Sequence, residues 1–322
     1  MRNSVAALAV LILLAACDGN PLTVPTTTTP PTTPTTPPTG PEVNANGIPT
    51  ALARNLEGIA YDPVAKTLMV TIAGIDGTPE AVSYTRNMAA EVGLPAGYEA
   101  YSIQEDPLDR FFTGVVRESA DGSVTAAIAS DGGQFNRFFS GGWYERDGSF
   151  TPPNIGNGPG EGQVTYAGGY VGLDNYSGPL PPMPPGTNPA VQPQAPGRIA
   201  GDVIINANFS DMLVNGSINN RVRLDNPGLD ATSPLANLVL VVTGISAEGE
   251  FLGDVELQGL IGQSIGQYGG LFGGLDASSL AAVLFIEEFD STLEGEAETG
   301  LLVLTQCGMA GADPALCTGT AP

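Results

Sequence analysis

The chain predicts an all-β protein: an N-terminal antiparallel β domain followed by a C-terminal soluble eight-stranded antiparallel β-barrel. Glycine makes up 43 of 322 residues, and short runs rich in Val, Ile, Thr and Phe alternate with Asp-Gly and Asp-Pro turn signals. No segment keeps a 3.6-residue apolar period long enough for a substantial helix.

From the N-terminus, Arg2 precedes an apolar run over residues 5–14, and Leu14-Ala15-Ala16-Cys17 supplies a small-residue cleavage site. The run is too short to span a bilayer. It resembles the bacterial lipoprotein box, in which the Cys thiol receives diacylglycerol and becomes the first mature residue. Residues 1–16 are then a lipoprotein signal peptide, and lipidated Cys17 anchors the chain to a membrane without crossing it. The expected address is the outer membrane, at the cell surface. Asp18 leaves the inner membrane or the periplasmic face as the alternative.

Residues 17–47 form the tether. Between positions 21 and 41, 18 of 21 residues are Pro or Thr, a composition that buries little apolar surface and favours extended polyproline II. At about 3.1 Å per residue the tether reaches roughly 90 Å.

Loss of the leader takes Arg2 with it and leaves ten basic against 34 acidic residues, a formal charge of −24. Such a chain repels nucleic acid and anionic lipid surfaces and favours cationic partners. Histidine is absent, which excludes His-based triads, His metal sites and His proton shuttles. No cofactor, no metal and no enzymatic activity are expected. With Cys17 lipidated, Cys307 and Cys317 remain as an even pair in an exported, oxidising setting, and a disulfide between them is expected to pin the tail, residues 308–322.

The N-terminal antiparallel domain spans residues 48–153. Strands are expected at 66–73, 80–86, 98–104, 111–117, 123–130 and 136–145, with a brief helix at 88–94. Asp62-Pro63, Asp76-Gly77, Asp121-Gly122, Asp131-Gly132-Gly133 and Asp147-Gly148 mark the turns. Residues 151–160, rich in Pro and Gly, read as the linker to the next domain.

The barrel is expected over residues 154–307, with strands at 163–173, 198–209, 215–224, 238–245, 251–260, 268–272, 281–289 and 298–305. Val203, Ile205, Ala207 and Phe209 alternate with Asp202, Asn206 and Asn208. Val214, Ile218, Val222 and Leu224 are likewise expected to face away from Asn215, Ser217, Asn219, Arg221 and Arg223. A transmembrane barrel needs an apolar outer band, which outward Arg221, Arg223, Asp254 and Glu256 would break. The segment 179–196, with eight prolines, is either a long loop between the first two barrel strands or a second linker, which would leave seven strands.

Three stretches carry a resemblance. They are Gly162-Gln163-Val164-Thr165-Tyr166-Ala167-Gly168, Asn208-Phe209-Ser210-Asp211 leading into Val214-Asn215-Gly216-Ser217-Ile218, and the run from Gly270-Leu271-Phe272-Gly273 through Ala277 and Ser279 to Val283. They resemble the β-barrel domain of transferrin-binding protein B and the related Slam-type surface lipoproteins. Asn208, Gly273, Ser279 and Ala282 depart from the family's usual Asp, aromatic, Glu and Gly. The resemblance implies a display lipoprotein that binds a protein or small-ligand partner through variable loops, so it assigns no ligand residue here.

Gly262-Gln263-Ser264-Ile265-Gly266 matches the nucleophile-elbow pattern, but the elbow needs a strand-to-helix turn and a histidine base, so a Gly-rich turn is expected. Glu287, Glu288, Asp290, Glu294, Glu296 and Glu298 suggest either a carboxylate-based glycoside hydrolase or, as the expectation, a solvated hairpin edge. Adventitious Ca²⁺ at these acids or at Asp76, Glu105, Asp106 and Asp109 has no EF-hand loop behind it. The densest aromatic group, Phe111-Phe112, Phe138-Phe139 and Trp143-Tyr144, is expected mainly as sheet core. Phe112, Phe139, Trp143 and Tyr144 are its candidate ligand contacts, because adjacent residues on a strand face opposite sides. The expected function is non-enzymatic binding, with a structural envelope lipoprotein as the alternative.

Overall fold

The computed structural model describes residues 41–74, 79–153 and 162–318. The leader, Cys17, the tether up to residue 40, the Asp76-Gly77 turn and residues 154–160 of the linker lie outside the described residues. Among those described, no helix is long and apolar enough to cross a membrane.

A single helical turn, α1 (Thr50–Ala53), leads into seven strands: β1 (Leu56–Asp62), β2 (Thr67–Ile72), β3 (Ala81–Arg86), β4 (Glu99–Ile103), β5 (Phe112–Glu118), β6 (Val124–Asp131) and β7 (Ser140–Arg146). Another turn, α2 (Met88–Glu91), joins β3 to β4 and is N-capped by Asn87. The strands pair in sequence order as one antiparallel sheet, curled so that the Asn55 N–H reaches Ser140 O at 3.0 Å. Of these strands β1 escaped the sequence reading. Gly58 and a register shift after Leu56 interrupt its alternation.

The second half closes completely. Strands β8 (Gln163–Asp174), β9 (Gly197–Asn208), β10 (Leu213–Arg223), β11 (Leu238–Gly244), β12 (Glu250–Leu257), β13 (Ser264–Gly273), β14 (Ser279–Glu287) and β15 (Ala297–Gln306) pair in order, and β15 returns to β8. The proline-rich segment 179–196 therefore joins two adjacent barrel strands, and eight strands, not seven, form the barrel. Its chain also straps the sheet: the Gly132 N–H reaches Gln194 O at 3.0 Å, and Gln134 Nε2 donates to Val191 O at 2.9 Å. The tail's short turn α3 (Pro314–Cys317) is held to the end of β15 by the Cys307–Cys317 disulfide.

Eight strands leave an interior that side chains just fill. Here Tyr166, Phe209, Phe251, Tyr268 and Phe272 occupy one end, with Val203, Ile218, Leu284 and Leu302 beside them. Phe150, from the segment leaving the sheet, packs on Phe209 and Phe272. On the outer face Asn206, Asn215 and Asp254 are exposed, polar groups where a lipid-facing band would need apolar ones.

Strand β10 corrects the sequence reading. Arg221 and Arg223 point inward and are fully buried, whereas Val222 is 47% exposed. The cause is a bulge between Asn219 and Val222, with Asn220 at φ 53°. One extra residue reverses every face beyond it. The acidic hairpin is corrected with it: Glu287, Glu288 and Glu294 are exposed, but Asp290, Glu296 and Glu298 are buried. Arg221 pairs with Glu298, whose other oxygen accepts from the Tyr170 hydroxyl. Arg223 meets Asp230 at 2.8 Å and Asp290 at 3.2 Å, with Asp174 4.0 Å away. Burial pushes the Glu298 carboxyl up, against the pull of Arg221. Asp290 and Glu298 are counter-ions for buried guanidinium groups, while Glu296 accepts from the Asp290 amide.

The sheet lies on the barrel's outer face. Ala281, Val283, Phe285, Leu301 and Val303 of β14 and β15 share one core with Ala126, Ile128 and Tyr144 of the sheet. Gly142 permits the approach, since a Cβ there would lie 2.7 Å from the Val283 side chain. Polar contacts frame the seam: the Tyr98 hydroxyl donates to Gly169 O at 2.7 Å, Arg198 Nη1 to Ala90 O and Val92 O, and Thr299 Oγ1 to Ser140 Oγ at 2.9 Å.

Candidate functional site

The sheet is fully packed on its barrel side and open at one end. Gly74, Pro79 and Glu80, beside the ends of β2 and β3, meet there with the connections β4–β5 (104–111) and β6–β7 (132–139). With the strand ends they enclose a half-open cavity of about 780 Å³, within the range typical of small-ligand sites. Its floor is Val70, Ile72, Val82, Ile103, Phe112 and Tyr84, an apolar surface set by the inward alternation of β2 to β5. Burial pushes the Tyr84 phenol well above its ordinary range, so it stays protonated.

The lip combines apolar and acidic groups. Leu108 is 48% and Phe135 56% exposed, and Glu80, Glu105 and Asp109 stand beside them. Phe135 and Asn136 form the two-residue tip of a tight turn, both at positive φ (55° and 56°), closed by hydrogen bonds between Gln134 and Arg137. Asn tolerates this conformation well, but an aromatic residue there is unusual and costs on the order of 1 kcal/mol. A large apolar side chain is thus held toward solvent at the cavity's edge.

One buried ion pair fixes this wall. Arg110, on the β4–β5 connection, pairs with Asp131 at the end of β6 and donates to Gln134 O (2.8 Å) and Arg137 O (3.0 Å). Its guanidinium lies 4.6 Å from the Phe139 ring centroid. The Asp131 carboxyl is pushed up by burial, opposed by the Phe139 amide and Arg110. Gln134 Nε2 adds a bond to Leu108 O at 2.9 Å. Arg110 is therefore spent on structure, and the acids on the lip carry the local charge.

The four aromatic candidates separate. Phe112 lines the cavity. Phe139 is buried beneath Arg110, and Trp143 and Tyr144, each 7% exposed, are both in the core. Adjacent residues of β7 do face opposite sides, but α1 and β1 cover one side and the barrel the other, as Gly141 against Ala53 and Gly142 against Val283 show. Leu108 and Phe135 were not singled out from the sequence, because isolated apolar residues in loops have no period. A lone Phe flanked by Gln134 and Asn136 after Gly132-Gly133 was the available signal. Ser264 sits at a β-hairpin, and its hydroxyl donates to Gly266 O; a nucleophile elbow is not formed.

No family model and no curated protein matches the chain. Solved structures do. A double mutant of transferrin-binding protein B, a vaccine antigen from Haemophilus parasuis Hp5, matches at TM-score 0.37 and 10% identity over 77% of this chain and 52% of that one. Intact Ap-TbpB, with N and C lobes, matches at 0.36 and 11%, covering 79% and 55%. Isotype 1 transferrin-binding protein B from serogroup B Neisseria meningitidis matches at 0.32 and 14%, covering 78% and 52%. The chain spans about half the length of these structures. They belong to the family that the barrel motifs resemble, and at this identity the partner in their names does not pass to this chain.

Proposed function

We propose that this protein is a non-enzymatic binding protein of the bacterial cell envelope, held by lipid on Cys17 at the outer-membrane surface, and that the open end of its N-terminal sheet is the binding site. The carrying observation is the contrast between a filled barrel and a 780 Å³ cavity with an apolar floor and an exposed Leu108–Phe135 lip. Apolar surface held open to solvent and ringed by acids suits an amphipathic ligand or protein segment carrying positive charge. The Pro/Thr tether supports this by giving the folded body reach beyond the lipid. A carboxylate-based hydrolase loses its best acids, since Asp290 and Glu298 are buried against Arg223 and Arg221.

A dansyl group carrying a primary amine tests the site. Saturable, blue-shifted emission is expected with the wild type and its loss with Leu108→Asp/Phe135→Asp; unchanged binding by that variant overturns the assignment. Protease treatment of intact cells tests display: release of the folded body is expected, and its complete protection contradicts a surface location. Labelled fatty acid should enter the chain and be lost with Cys17→Ala.

A further inference from the structure

Strand β3 pairs with β2 over Ala81 to Tyr84, from Thr71↔Ala81 to Leu68↔Tyr84. With β4 it shares two pairs, Thr85↔Ser102 and Arg86↔Tyr101. Strand β4 stays with β5 as far as Ile103↔Phe112. From Tyr84 outward β3 and β4 therefore part, and the cavity lies at the opened seam. The Asn87 N–H donates to Ala100 O at 2.7 Å. Alternation along the ladder then turns the main-chain groups of Thr85, Ser83 and Ala81 toward the β4 side, and those of Val82 and Tyr84 toward β2.

Such an edge is a template for another strand, and proteins usually blunt it with proline, charge or a bulge. Residues 81–84, Ala-Val-Ser-Tyr, contain none of these. The side chains agree with the backbone: Val82 and Tyr84 line the cavity while Ala81 and Ser83 are exposed.

Resting on the reading of the sheet's open end as the binding site, we infer that its occupant is an extended polypeptide segment that adds a strand to the edge of β3 left without a strand partner among the described residues. Every second side chain of that segment enters the cavity against Val82, Ile103 and Phe112, beneath Phe135, while its main chain pairs with Ala81 and Ser83. Glu80, Glu105 and Asp109 on the lip, with Arg110 neutralised by Asp131, select a segment flanked by Lys or Arg. The short edge admits a few main-chain hydrogen bonds, so side-chain fit and charge supply the rest of the selectivity.

The test uses the full-length chain and a fluorescein-labelled octapeptide, Lys-Thr-Val-Thr-Val-Thr-Val-Lys, in anisotropy titrations. Three outcomes are expected: saturable binding of the parent, binding weakened by about tenfold when Glu replaces both Lys, and binding weakened by about 30-fold when alternate main-chain nitrogens facing β3 are methylated. Ser83→Pro should abolish peptide binding but leave the dansyl amine bound. If the methylated and parent peptides bind equally, strand addition is overturned while the site stands. If the dansyl amine binds at the Leu108–Phe135 lip and the peptide does not, strand addition is again overturned. If neither probe binds there, the site itself fails.

Discussion

The barrel and the sheet are built from the same kind of antiparallel ladder, yet one interior is a core and the other ends in a cavity. In the barrel β15 returns to β8 and every strand has two partners. Aromatic side chains fill one end, and the Arg221 and Arg223 ion pairs fill the other. The sheet has seven strands, its β3–β4 ladder stops after two pairs, and the part not covered by the barrel stays open. Ladder closure therefore decides which interior is available to a ligand, although both halves have strongly apolar inner faces.

The largest expected effect breaks the closed half. Arg223→Ala leaves Asp174, Asp230 and Asp290 around an uncompensated buried site and should cost about 3–5 kcal/mol, read as a lower midpoint in thermal unfolding. A loss below about 1 kcal/mol would show that the barrel end is hydrated and not sealed.

A smaller effect tests the joint between the halves. Asp121, on the β5–β6 turn of the sheet, accepts from Ser278 and Ser279 on the barrel as well as from Ser119 and Ser123. Burial pushes its carboxyl up, but the hydroxyls of Ser278, Ser119 and Ser123 and the Ser123 amide outweigh this and hold it well below the usual carboxylate range. The folded state thus binds the proton less tightly than the unfolded chain. The stability this gives is present above the ordinary Asp value and is lost as pH falls from about 4 toward the depressed folded value. Asp121→Asn should cost about 1 kcal/mol at neutral pH and flatten the acid limb of stability against pH. An unchanged acid limb would place the acid sensitivity elsewhere.

The smallest effect on stability concerns the open half. Phe135→Gly relieves a left-handed aromatic residue at the turn tip and should leave stability within about 1 kcal/mol of the wild type or raise it. Dansyl-amine binding should weaken by about tenfold with loss of the apolar contact. Marked destabilisation with unchanged binding would make Phe135 part of the core.

Much of the fold was legible because the period of two survives in most strands. Val203, Ile205 and Ala207 on β9 and Val214 and Ile218 on β10 face inward as their alternation indicated. Where a residue was inserted, alternation misled: Asn220 reversed Arg221 and Arg223, and the acids that neutralise them looked like a solvated edge. The unbroken run from Leu280 to Ile286 was the available sign that β14 is covered on both faces, as its full burial shows. The site was less legible. Phe112 was found through its aromatic neighbour, but the lip is assembled from Leu108 and Phe135 on two separate connections, and the opened seam depends on where pairing stops.

Hydrogen–deuterium exchange of the full-length chain with and without the Lys-flanked octapeptide tests the central claim most directly. Slowed exchange is predicted over residues 79–87 and 103–112, including the amides of Ala81 and Ser83, with the barrel connections at 245–249 and 258–263 unchanged. Protection confined to the barrel connections, with none at the sheet's open end, would contradict the account.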